Sequence, residues 1–368
     1  MNRSPDLLYR IALKMIPQVG AVTARHLVSH CGSVEAVFRQ RAAALQRIPG
    51  VGATLARNIL RREVLIEAEA ELRRVIEHDI QVHFYLDASY PQRLIHYNQS
   101  PILLYGKGRL DLNAARMVAI VGTRQPTPYG IAACEQIIRD LSEYGPTVIS
   151  GLAYGIDVTA HRAALQYGLP TIGVLGSGCG RVYPQAHRKL ALRMMPSGGL
   201  VTEFDYLTGP DKENFPARNR IVAGMVDAVI VVESGRSGGS MITAEFANVF
   251  HKDVMAVPGR VSDSRSQGCN LLIREHKAHL ITNGQDVAAL LGWDQQTADS
   301  GGHQREMFPD LDETERLIVE LVSLHETMEI DALAAQSKLP LSELATVLLS
   351  LEFKGIVKAL PGKRYLIR

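Results

Sequence analysis

Residues 209–247 read GPDKENFPARNRIVAGMVDAVIVVESGRSGGSMITAEFA. The middle, Asp227–Glu233, is an unbroken apolar and β-branched run, the pattern of a strand buried on both faces. Upstream stand Lys212, Phe215, Arg218, Asn219 and Arg220, and downstream lies the glycine-rich stretch Ser234–Ser240. Ligands of parallel sheets sit beyond the carboxyl ends of the strands, where loops and helix N-termini present unpaired N–H groups. Gly238 and Gly239 leave the backbone bare enough for a phosphate to approach. The upstream cations supply charge and Phe215 a flat face. Phosphate cradle, guanidinium and exposed ring together suit a nucleotide or single-stranded nucleic acid.

Outward from this stretch, strand and helix patterns alternate from Arg116 onward. Val118–Val121 stops at GTRQPTPYG, Thr147–Ile149 at SGLAYGIDVTAH and Thr171–Leu175 at GSGCGRVYP. Leu200–Phe204, Ala228–Val232, Val254–Val257 and His279–Ile281 follow, with helix-length segments between. The alternation predicts the α/β class, with a Rossmann-like, doubly wound parallel sheet. Several runs end in Gly, Ser, Thr or Arg, which places these residues on one rim, the expected site. Arg124, held in a Gly-Thr-Arg turn, is expected to pair with a phosphate. Ser150 and Gly151 are expected to meet the ligand through hydroxyl and backbone N–H. Asp157 and His161 share one face of a helix start, and we read them as a cap and an internal partner, not an acid–base pair.

Residues 1–80 read as a helical domain, and two glycine-containing breaks resemble each other: IPQVGAVTARHL from Ile16 and IPGVGATLARNI from Ile48. Each has the form of a helix-hairpin-helix (SAM-like) turn, in which amides at a helix start face a DNA phosphate, or else simply pack a helical bundle. Residues 81–292 carry the Rossmann-like domain, with 81–112 as an extension. Tyr90, Tyr97 and Tyr105 in that extension suit packing better than an aromatic platform. Residues 293–308 read as a polar linker, and 309–368 as a winged helix of three short helices and two strands. Its presumed recognition helix, LSELATVLLSLEF, carries Glu343 and Glu352 and no Lys or Arg, which argues against reading a duplex.

Charge follows the same division. The 368 residues carry a formal +2, too little to imply nucleic acid by itself. Residues 1–80 hold 12 Lys+Arg against 8 Asp+Glu, and residues 305–368 hold 8 against 11. An acidic partner therefore belongs to the first two regions. The four cysteines, far apart and without a Cys-x-x-Cys pair, indicate neither zinc nor disulfides. No run has the length of a membrane span and the first residues have no signal core, so a cytoplasmic location is expected. VGTRQP lacks the Gly-x-Gly-x-x-Gly spacing and no Walker motif occurs, so NAD and Walker-type ATP binding find no support. Neither a nucleophile elbow nor a metal-ligand cluster is visible, and no cofactor is expected.

Taken together, VGTRQPTPYG, SGLAYGIDVTAHRAAL, FPARNRIVAG, SGRSGGSMITAEFA and AVPGR resemble the DNA-processing protein A family (DprA/Smf) over about Tyr90–Ile281. The resemblance implies a non-catalytic single-stranded DNA binder. In natural transformation such a protein protects incoming DNA, forms a homodimer through its Rossmann-like core and helps load a RecA-type recombinase. It carries the DNA pocket onto Arg124, Lys212 and Phe215, and we place Arg218, Asn219 and the Gly238–Gly239 loop beside them. REHKAHLIT, Arg274–Thr282, departs from the family's usual glycine-alanine step. The alternative is a nucleotide phosphoribohydrolase-like enzyme, whose loop SGGSMITAE resembles and whose glutamate would fall near Glu245.

Overall fold

The apolar runs become strands of one nine-stranded sheet. These are β1 (Gln81–Phe84), β2 (Leu103–Gly108), β3 (Met117–Val121), β4 (Thr147–Ser150), β5 (Thr171–Val174), β6 (Gly199–Thr202), β7 (Ala228–Val231), β8 (Asp253–Ala256) and β9 (His279–Leu280). The computed structural model describes residues 5–294, 311–323, 328–337, 339–354, 356–360 and 364–367. The spatial order is β1-β2-β6-β5-β4-β3-β7-β8-β9, and every neighbouring pair from β6 to β9 is parallel.

All five residues of β3 and all four of β7 are buried, because helices cover both faces. Met117, Ala119 and Val121 meet the core under helices Asn214–Gly224 and Gly239–Val249. Val118 and Ile120 meet the opposite core, under Pro128–Leu141 and Ile156–Gln166. Apolar residues on both faces leave no polar alternation along these strands.

Strands β4, β5 and β6 accumulate on one side of β3, and the chain then crosses to place β7 on the other. The loops leaving β3 and β7 therefore diverge across a crevice, the switch point of the fold. The family-like turn at Gly122–Arg124 and the glycine loop at Ser234–Gly239 stand on its two sides.

Residues 81–112, read as an extension, contribute β1 and β2 antiparallel to the sheet edge at β6. Tyr90 and Tyr105 are buried and Tyr97 stacks on Phe250 at 4.0 Å, so these rings serve packing. The helices Pro5–Met15, Ala21–Cys31, Val34–Arg39, Ala42–Leu45, Ala53–Ile59 and Arg62–Glu77 share one core with Phe84, Leu103 and Tyr105 of that edge. Arg10 donates to both carboxylate oxygens of Asp87 at 2.8 Å, and Glu71 accepts the Tyr206 backbone N–H at 2.6 Å. The two similar turns end alike, with Gly20 and Gly52 as N-caps that carry no side-chain bond.

The chain divides into two compact units, residues 1–294 and 295–368. The expectation that a linker begins at Trp293 is corrected: this indole is 5% exposed, packed with Tyr144 in the core of the first unit. Residues 295–308 of the expected linker lie outside the described residues. In the second unit, helices Glu313–Ser323, Ile330–Ser337 and Leu341–Phe353 pack with a three-stranded sheet of Met328–Glu329, Arg364–Ile367 and Val357–Leu360. This is a winged helix. Glu343 and Glu352 are exposed on its third helix.

Candidate nucleic-acid interface

A pocket of about 580 Å³ opens at the switch point. Arg124, from the turn after β3, and Lys212 and Phe215, from the entry to helix Asn214–Gly224, all line it. Arg124 and Lys212 are exposed. The Arg124 guanidinium lies 5.7 Å from the Phe215 ring centroid, a cation–π distance that holds the cation beside the ring. The opposite wall is the glycine loop, from which helix Gly239–Val249 begins, and the positive end of its dipole adds to the field of the two cations. Asn219 donates to the Gly239 carbonyl at 3.1 Å and Ser240 to the Ser234 hydroxyl at 2.8 Å, which fixes this wall.

The turn carrying Arg124 packs its backbone closely against Gly155. Gly155 sits behind it at φ +83°, and a Cβ there would stand 2.2 Å from the Thr123 carbonyl oxygen. Only glycine combines this backbone conformation with this approach.

The floor holds two buried, oppositely charged side chains. Arg218 and Asp157 are 6% and 8% exposed, both line the pocket, and the guanidinium also donates to the Val174 carbonyl. Burial raises the Asp157 carboxyl above its ordinary range against the pull of Arg218, and lowers the Arg218 guanidinium against the pull of Asp157. Desolvation thus outweighs attraction at both groups, and each supports the charge of the other through the field it sets up. Gly151 makes room for both side chains, since a Cβ there would lie 2.3 Å from Asp157 Oδ2 and 2.4 Å from an Arg218 nitrogen.

His161 is structural, as expected. It is fully buried, with Nδ1 2.7 Å from the Thr171 hydroxyl and Nε2 2.6 Å from the Gly151 carbonyl. Burial lowers its pKa to about 4, so the ring is neutral.

Two expected site residues are placed elsewhere. Ser150 is fully buried and spends its hydroxyl on the Ile120 carbonyl at 2.6 Å, inside the sheet. Arg220 faces away from the pocket and pairs with Glu203 at 2.5 Å. Tyr183, which the sequence reading did not single out, lines the pocket with its ring centroid 5.8 Å from that of Phe215. It is 47% exposed, and an exposed aromatic in the glycine-rich segment after β5 was the available signal. Among the described residues no group of three or more His, Cys, Asp or Glu is arranged to hold a metal ion. Glu245, the glutamate of the enzymatic alternative, is exposed on helix Gly239–Val249 and does not line the pocket.

Residues 81–292 match the model of the DNA recombination-mediator protein A family. The chain belongs to that family. Residues 308–363 match the winged-helix domain of DprA, and residues 11–62 a SAM-like helix-hairpin-helix tandem. Protein Smf of Synechocystis is 31% identical, over 97% of this chain and 98% of its own length. The DNA processing protein DprA of Streptococcus pneumoniae is 43% identical over 55% of this chain and 72% of its own. Its crystal structure superposes with a TM-score of 0.67, covering 78% of this chain and 98% of that one at 32% identity. A Helicobacter pylori DprA structure, concerned with that protein's binding of single-stranded DNA, superposes with a TM-score of 0.53 over 58% of this chain and 96% of that one, at 29% identity. Against the family's usual glycine-alanine step, this member has His276 at φ +55°, a conformation that glycine takes without penalty.

Proposed function

We propose that this chain binds single-stranded DNA in the switch-point pocket and breaks no bond in it. The carrying observation is that Arg124, distant in sequence from Lys212 and Phe215, lines one concave pocket with them. Phosphates sit against the two cations and the glycine loop, and a base stacks on Phe215, with Tyr183 beside it. A duplex cannot offer a splayed base to this ring, so the preference is for single strands. The single-stranded DNA bound by the Helicobacter pylori relative supports the same ligand class here. In this reading the protein acts in the cytoplasm as a homodimer, protects DNA entering during transformation, and hands it to a RecA-type recombinase. The phosphoribohydrolase alternative is disfavoured by the position of Glu245, outside the pocket.

Phe215→Ala is expected to weaken single-strand binding by about 1–3 kcal/mol with little change in salt dependence. Lys212→Ala is expected to weaken it and to lower the slope of log affinity against log salt by about 0.7, the share of one phosphate contact. Fluorescence anisotropy with a labelled oligothymidylate reads both. If neither substitution alters affinity or slope, the binding surface lies elsewhere.

A further inference from the structure

A second concavity, of about 390 Å³, lies between helix Arg188–Met194 and the edge of the sheet. Lys107 from β2, Arg181 and Arg188 line it, and no Asp or Glu is among its described lining residues. Arg181 and Arg188 are exposed, and none of the three cations forms an ion pair among the described residues. Cys179, also in the wall, is pushed up to about 12 by burial and adds no negative charge at neutral pH. Three cations brought into one hollow without a counter-charge repel one another until an anion enters.

The two pockets share a wall. Tyr183 lines the first, while Arg181 and Val182, in the same segment, line the second. Two residues of chain span at most about 7 Å, so a polymer leaving the first pocket past Tyr183 meets Arg181 at once. Tyr206, the aromatic residue of the second pocket, is already stacked on His78 at 4.4 Å and 5°. This hollow therefore offers charge where the first also offers a free ring.

We propose that the second pocket is a phosphate-binding subsite that takes the backbone of the same single-stranded DNA where it runs out of the first pocket past Tyr183. The proposal rests on the single-strand reading above. It divides the work between the pockets: the first holds a base and its phosphates, the second tracks the sugar-phosphate backbone without regard to sequence.

The test compares the wild type with K107Q/R181Q/R188Q in the full chain, using labelled oligothymidylates of about 4 and about 16 nucleotides, the range of known single-strand site sizes. For the long oligomer the triple variant is expected to lose at least about 10-fold in affinity and about 2 in salt slope, the share of three contacts at about 0.7 each. For the short oligomer it is expected to match the wild type. Restoring Arg181 and Arg188 as lysines is expected to recover most of the long-oligomer slope. Unchanged binding of the long oligomer overturns the proposal, and so does an equal loss on both lengths. Thermal shifts with pyrophosphate and thymidine monophosphate separate a free-phosphate source. A shift that needs the three cations, together with unchanged long-oligomer binding, assigns the pocket to a small phosphate ligand and overturns the DNA path. A wild type that binds neither length removes the single-strand reading itself, and this subsite with it; failure of the subsite alone leaves short-oligomer binding and its dependence on Lys212 intact.

Discussion

Arg218→Met is expected to destabilise the protein by about 3–5 kcal/mol at neutral pH, read from urea unfolding of the first unit within the full chain. Methionine fills much of the volume of the arginine stem, so the loss comes from the guanidinium, its charge near Asp157 and its hydrogen bond to the Val174 carbonyl. Asp157, 8% exposed, keeps only the Ala153 backbone N–H and the nearby Ser150 and Arg124 to support its charge. Its carboxyl, raised by burial even beside Arg218, then rises further. A carboxyl whose folded pKa exceeds its unfolded value binds more protons in the native state, so stability falls as pH rises through that window. The variant is therefore expected to recover stability on mild acidification, more than the wild type does. Asp157→Asn on the Arg218→Met background removes the stranded charge, and is expected to restore part of the loss at pH 7 and to flatten the added pH dependence. A variant as stable as the wild type at pH 7 would mean that the Asp157 charge does not depend on Arg218.

A second large effect comes from His161. Its pKa, lowered by burial to about 4, lies below the ordinary 6.5 of the unfolded chain. Between those values the unfolded state binds the additional proton, so stability rises with pH. The contribution is fully present above pH 6.5 and is lost as the pH falls toward about 4. At 1.36 kcal/mol per pKa unit this amounts to about 3 kcal/mol. Comparison with His161→Gln isolates it: the stability gap between wild type and variant is expected to shrink across this window as pH is lowered. A constant gap would show that the ring titrates normally.

The parts of the site that were legible in the sequence are those fixed by local chemistry. Arg124 lies in the turn after a buried strand, and Lys212 and Phe215 lie just before and in the first turn of helix Asn214–Gly224, so the parallel topology alone carries them to one rim. Ser150 was misread through side-chain parity. It is the last residue of β4, and its hydroxyl turns sideways to the β3 carbonyl of Ile120 instead of out of the rim. Arg220 failed for a helical reason: residues two apart point to different faces, so it cannot join Arg218 at the pocket. The pairing of β2 with β6 joins segments about a hundred residues apart, from Tyr105 to Thr202, and no local pattern announces it. The second cationic pocket depends on that pairing, because it is what brings Lys107 toward Arg181 and Arg188.

The most direct measurement is a titration of the full chain with a fluorescent oligothymidylate and with a duplex of the same length, each at two salt concentrations. A pocket that grips phosphates with Arg124 and Lys212 and stacks a base on Phe215 predicts tight, salt-weakened binding of the single strand and much weaker binding of the duplex. Equal affinity for the two, or binding of neither, would contradict it.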